Sequence, residues 1–191
     1  MALKYGFKEW AAICEALAQG KQALILRKGG IAEPSGAFEI EHTRFWLFPT
    51  YLHQDKNGLQ EEAWPLLERA EAQRPKAGIV PLSHFAEVTG IYRILDLPLA
   101  LVLQHLHLWS KETVARRFAY RVPGLLVLVV RVWRVPQVIE LPDTEYYQGC
   151  RSWVELEREL PTEGARPVLS EEDLQDVHRQ LDVLLNPTAL A

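Results

Sequence analysis

Apolar residues recur along this chain at two periods, and the change from one to the other marks out its elements. Phe7, Trp10, Ala11, Cys14 and Leu17 fall at helical spacing, and Gly20 stands where a cap is expected. That pattern predicts a helix over about residues 7–19. The stretch QALILR then reads as a strand that stops at Lys28 and Gly29-Gly30. A connection from Ile31 to Glu41 holds Pro34 and Gly36, and TRFWLFPT reads as the partner strand, closed by Pro49. Leu59, Ala63, Leu66, Leu67 and Ala70 return to helical spacing. Proline is tolerated only in a first turn, so Pro65 begins that helix.

The middle of the chain turns to period two. GIVPL is a short strand, and SHFAEVTGIYRI puts His84, Ala86, Val88, Tyr92 and Ile94 on one side and Phe85, Glu87, Thr89, Ile91 and Arg93 on the other. Gly90 inside it marks a bulge or a close backbone approach. LPLALVLQHLHLW reads as helix in its first half, and Ser110 is placed to cap KETVARRFAY. GLLVLVVRVWRV is apolar almost without interruption, which predicts a strand covered on both faces in the interior of a sheet. SWVELE has the mixed character of an edge strand. A final helix starts at Ser170 with Glu171, Glu172 and Asp173 in its first turn, continues through Leu174, Val177, Leu181, Leu184 and Leu185, and stops at Asn186-Pro187. Strands separated by helices and long connections, without regular βαβ alternation, predict an α+β fold. It should be a mixed, mostly antiparallel sheet or partly open barrel with flanking helices, in a single domain over residues 1–191.

Composition agrees with a globular chain: 48% of the 191 residues are apolar, enough for a core. MALKYGFKEW lacks the apolar run of a signal peptide, and the greasiest stretches fall short of the ~20 residues that cross a bilayer. The expectation is a cytoplasmic protein with no membrane contact. The net charge of −4 is unevenly spread. Lys111 to Arg134 holds six bases and one acid, whereas Val154 to the end holds nine acids and three bases. The acidic balance argues against a protein that coats nucleic acid indiscriminately, but it leaves room for a local basic face.

Candidate chemistry begins with RKGGIAE, where Arg27 and Lys28 precede two glycines and Glu33 follows. Neither GxxxxGK[ST] nor GxGxxG is present, so this is either a corner that offers two cations to an anion or a turn with solvated charges. His105 and His107 would share a side only in an extended segment, and nothing in the sequence fixes His42, His53 or His84 near them. No metal and no cofactor are expected. Cys14 falls on the apolar side of its helix as a buried thiol, whereas Cys150 is followed by Arg151, a neighbour that raises thiolate reactivity. There is no GxSxG elbow. Cations and aromatic residues together stand out most. Arg116, Arg117 and Arg121 precede the apolar strand, and Arg131, Trp133 and Val135 share one of its faces. Arginine forks hold phosphates, and aromatic faces stack bases. Arg131 in so apolar a strand needs a carboxylate or a ligand anion beside it.

Taken together, KEWAAICEAL, Gly20, ILRKGGIAE, FEIEHTRFWLFPTYLHQ, HLW with RRFAYR, and the Val- and Arg-rich strand before YYQGCRSWVEL resemble a bacterial family frequent in cyanobacteria. That family is known only as a domain of unknown function. The resemblance covers most of the chain and implies no established activity. Some relatives are joined to restriction-endonuclease-like domains, which implies a nucleic-acid or defence role by association, with this chain as the module accompanying a nuclease subunit. It also groups Arg27, Lys28, Glu33, His42, Thr50, His53 and Gln54 as a unit.

Three readings follow. The first is a module binding nucleic acid or a phosphate-like anion through Arg27, Lys28, Arg116, Arg117 and Arg131, with His42, His53 and Gln54 as polar contacts. The second is a hydrolase or nuclease using Glu33, His42 and His53, which requires those side chains to converge in one pocket. The third is an interaction subunit docking through its last helix, which requires an exposed stripe at Leu174, Val177 and Leu181.

Overall fold

The computed structural model describes residues 2–28, 40–149 and 151–185. In chain order the elements are β1 (Ala2–Trp10), α1 (Ala11–Ala18), β2 (Leu24–Arg27), β3 (Arg44–Thr50), α2 (Trp64–Ala72), β4 (Ile79–Ile94), α3 (Leu97–Val102), α4 (Lys111–Ala119), β5 (Leu125–Pro142), β6 (Trp153–Pro161), β7 (Arg166–Pro167) and α5 (Glu171–Leu185). The strands form one sheet in the order β2-β5-β4-β3-β1-β6, with β7 paired to β5. Only β1 and β3 run parallel among the described strands. The fold is therefore α+β on a mixed, mostly antiparallel open sheet, as the sequence pattern predicts.

The longest ladder joins β4 to β5. GIVPL and SHFAEVTGIYRI are a single strand, with register shifts between Leu82 and His84 and between Val88 and Gly90. The second shift is the bulge that Gly90 announces. β5 lies inside the sheet between β2 and β4, and β6 is at the edge, both as expected. The two faces of the sheet build separate cores. One centres on Phe7, Leu24, Phe45, Val127 and Trp109 with the helices against it, and the other on Trp46, Phe48, Leu82, Phe85 and Leu156.

Helix boundaries follow local chemistry. Ser110 accepts the Thr113 amide at 3.2 Å and Ser170 accepts the Asp173 amide at 3.1 Å. Pro65 lies in the first turn of α2, and Gly20 takes φ +68° just after α1. The expected helix over residues 7–19 is shorter than the sequence implies, because residues up to Trp10 belong to β1. Phe7 and Trp10 mimic helical spacing, but Gly6 and Phe7 pair with Trp46 and Leu47 on one side and with Val154 and Trp153 on the other. Two ladders of backbone hydrogen bonds outweigh a weak local preference. Leu174 and Leu181 are buried against the body of the protein, so α5 shows no exposed stripe there for a partner. No described helix is long and apolar enough to cross a membrane.

Candidate anion pocket at the end of β2

The sheet is curled enough that β2 and β1 meet across the three strands lying between them in the sheet order. Arg27, the last residue of β2, makes that contact. Its guanidinium lies over the Phe7 ring at 4.2 Å, Nη2 donates to the Lys8 carbonyl, and the same nitrogen is 3.6 Å from the Glu9 carboxylate. Glu9 is buried, and its other carboxylate oxygen accepts the Trp10 amide at 2.9 Å. A buried carboxylate is tolerated here because it has both a cation and an amide beside it.

The second half of the pocket comes from α4. Ser110 caps this helix, which carries Arg116 and Arg117 in its last turn, where positive charge suits the helix dipole. Arg117 is half-buried, stacked over the Trp109 ring at 3.7 Å, with Nη1 donating to the Leu26 carbonyl at 3.2 Å. Burial pushes this guanidinium down to about 10, with Glu9 opposing the shift and Arg27 and Arg116 adding to it. Arg116 is exposed and donates from Nη2 to Thr113 Oγ1 of its own helix at 3.2 Å. Lys28 reaches the end of α4 and the turn after it, donating to the carbonyls of Phe118, Val122 and Gly124. Desolvation lowers its pKa. With Leu26 and Tyr120, these four cations line a cavity of about 280 Å³.

Of the five cations that the sequence assigns to an anion, Arg27, Lys28, Arg116 and Arg117 thus converge. Lys28 contributes charge more than hydrogen bonds, since three carbonyls already surround its ammonium. Thr50 and Gln54 approach the β1–α1 junction. Thr50 donates to the Glu9 carbonyl at 3.0 Å, and Gln54 accepts the Ala12 amide at 3.3 Å, satisfying the first turn of α1. His42 stacks on Tyr5 at 3.4 Å and stands edge-on to Trp153 at 5.3 Å. Burial lowers its pKa, against the carboxylates of Glu41 and Glu155. His53 is exposed, with φ +64°. His42 precedes β3 and His53 follows it, so the two imidazoles stand at opposite ends of a seven-residue strand roughly 20 Å long. They do not share a pocket, which removes the arrangement a hydrolase using both would need. Glu33 and Cys150 lie outside the described residues. Arg131 finds the carboxylate its position demands, in Glu171 at 2.5 Å, and sits away from the pocket. His105 is exposed on a 3₁₀ turn while His107 is buried, so they diverge.

The sequence pattern does not point to Glu9, Trp109 or Tyr120. The alternation of Tyr5, Phe7 and Glu9 was the available signal for the first, but the helical reading of that segment hid it.

A family model described as a domain of unknown function, DUF1802, matches residues 6–180. The chain belongs to this family. Among curated proteins, none matches it. Solved structures of ASCH from Zymomonas mobilis are similar at 14% identity. The wild-type structure aligns over 92% of this chain and 93% of that one with a TM-score of 0.45. Two single-residue mutants align over 92% of this chain and 94% and 96% of theirs, with TM-scores of 0.45 and 0.43. Similarity at that level assigns neither residues nor activity in this DUF1802 chain.

Proposed function

We propose that this DUF1802 domain is a nucleic-acid-binding module that grips phosphate in the pocket formed by β2 and α4. The observation that carries the reading is the convergence of Arg27, Lys28, Arg116 and Arg117 on one cavity, with Glu9 as the carboxylate paired to one of them. Cations whose guanidinium forks are held in place by stacking on Phe7 and Trp109 lose little freedom when a phosphate arrives. Tyr120 at the rim is partly exposed, and an aromatic face beside a phosphate site favours single strands with unpaired bases. The same reading makes the protein a cytoplasmic module that can accompany a nuclease subunit.

Fluorescence anisotropy with labelled 12-nucleotide single-stranded RNA and DNA tests it. Binding through about three phosphate contacts weakens roughly twentyfold when salt rises fourfold. Arg116→Ala lowers affinity at the lower salt, because Arg116 is exposed on α4 and its loss leaves the core intact. Binding that ignores salt, or no binding to either strand, overturns the proposal.

A further inference from the structure

We infer that the pocket takes a terminal phosphate, a nucleotide monoester such as the end of a nucleic-acid strand, in preference to an internal phosphodiester. This rests on the phosphate-binding reading of the same cavity. Charge is the first ground. Among the described residues, four cations line the cavity, and the carboxylate ion-paired with any of them is Glu9, leaving a formal surplus of three. An internal diester offers one negative charge, whereas a terminal phosphate carries about 1.5 to 2 and presents three strong acceptor oxygens. The dianion therefore gains more in this pocket than the diester does.

Donor geometry is the second ground. Lys28 is held by carbonyls of the turn after α4, and Arg27 by the Lys8 carbonyl and Glu9, so both act mainly as fixed charge. Arg116 and Arg117 each spend one N–H on a protein acceptor, Thr113 and Leu26 respectively, out of the five that a guanidinium carries. The remaining forks, adjacent on the last turn of α4, face β2 across the cavity and suit a group with several oxygens to share. Size is the third. At about 280 Å³ the cavity is at the small end of ligand sites, which begin near ~300 Å³. That matches the end of one nucleotide. Tyr120 at the rim then offers its ring to the terminal base.

The test uses the full chain and three RNA 10-mers of one sequence, carrying a 5′-phosphate, a 3′-phosphate or hydroxyls at both ends, each labelled internally. One phosphorylated end should bind at least tenfold more tightly than the hydroxyl-ended strand. That advantage should shrink in Arg116→Ala and on lowering the pH from 7.5 to 5, as the second ionisation of the monoester, near pH 6, is lost. A nucleoside monophosphate is added as competitor. Displacement at concentrations comparable to the strand supports the terminal-phosphate chemistry with a free nucleotide as its source, and weak displacement supports a strand end. Equal, salt-dependent binding of all three 10-mers overturns the end preference and leaves the phosphate reading in place. No binding by any of them overturns both.

Discussion

Glu9 shows how one side chain ties stability to the candidate site. It is 3% exposed, lies 3.6 Å from Arg27, and among the described residues is the carboxylate that acts on Arg27 and Arg117, whose guanidiniums repel one another. Removing it leaves Arg27 and Arg117 partly buried without a carboxylate beside them among the described residues, a loss far larger than that of a surface pair. Glu9→Gln keeps the shape and the acceptor for the Trp10 amide but deletes the charge. Its free energy of unfolding, from urea titration, should fall by roughly 3 kcal/mol. Rescue by also replacing Arg27 with Met would show that the unpaired cation is the cause, and an unchanged midpoint for Glu9→Gln alone would refute it. Arg131 teaches the complementary lesson. Its need for a partner was legible from the apolar strand around it, but the sequence could not choose between Glu171, forty residues away, and an external anion.

The 3₁₀ turn at Lys56–Gly58 packs closely against Trp10 at the end of β1. A Cβ on Gly58 would lie 2.5 Å from Cη2 and 2.7 Å from Cζ3 of Trp10. That indole is rigid and packs at 4.8 Å against Trp109, the ring beneath the Arg117 guanidinium. Gly58→Ala should therefore cost about 1–3 kcal/mol as overpacking, seen as a lower Tm. It should also weaken oligonucleotide binding by shifting the floor under Arg117, whereas a variant that melts early but binds normally would separate the turn from the site. Nothing in HQDKNGLQ marks Gly58 as anything but a turn residue. Its neighbour is a tryptophan forty-eight positions earlier. By contrast the starts of α2, α4 and α5 were readable, because Pro65, Ser110 and Ser170 act on their own first turns.

The pH response belongs to the whole molecule. His84 and His107 are each pushed down to about 4, in both cases by burial first, with Arg134 adding to it at His84 and Arg117 and then His105 at His107. His107 Nδ1 accepts the Trp109 amide at 3.2 Å, a bond that only the neutral ring can make. Both folded values lie below the ordinary 6.5, so the unfolded chain binds more protons between pH 6.5 and 4. Stability is fully present above about pH 6.5 and is lost as the pH falls towards 4. At about 1.4 kcal/mol per pKa unit, His107 alone is worth roughly 3 kcal/mol over that window. Tm should hold level from pH 8 to 7 and then drop steeply to pH 4.5, with a shallower drop in His107→Gln. A flat profile over that range would contradict buried, neutral imidazoles.

The α+β class, the caps, the interior position of β5 and the edge position of β6 are all legible in the order of residues, because periodicity and capping are local properties of the chain. That order also names the four cations. Long-range packing makes residues 2–10 a strand, curls the sheet until Arg27 reaches Lys8 and Glu9, and brings Arg116 and Arg117 to one cavity with Arg27 and Lys28 while His42 and His53 stand apart. The reason is physical. Those outcomes depend on strand pairing and on burial between residues as far apart as Ala2 and Pro161, and no local pattern carries that information.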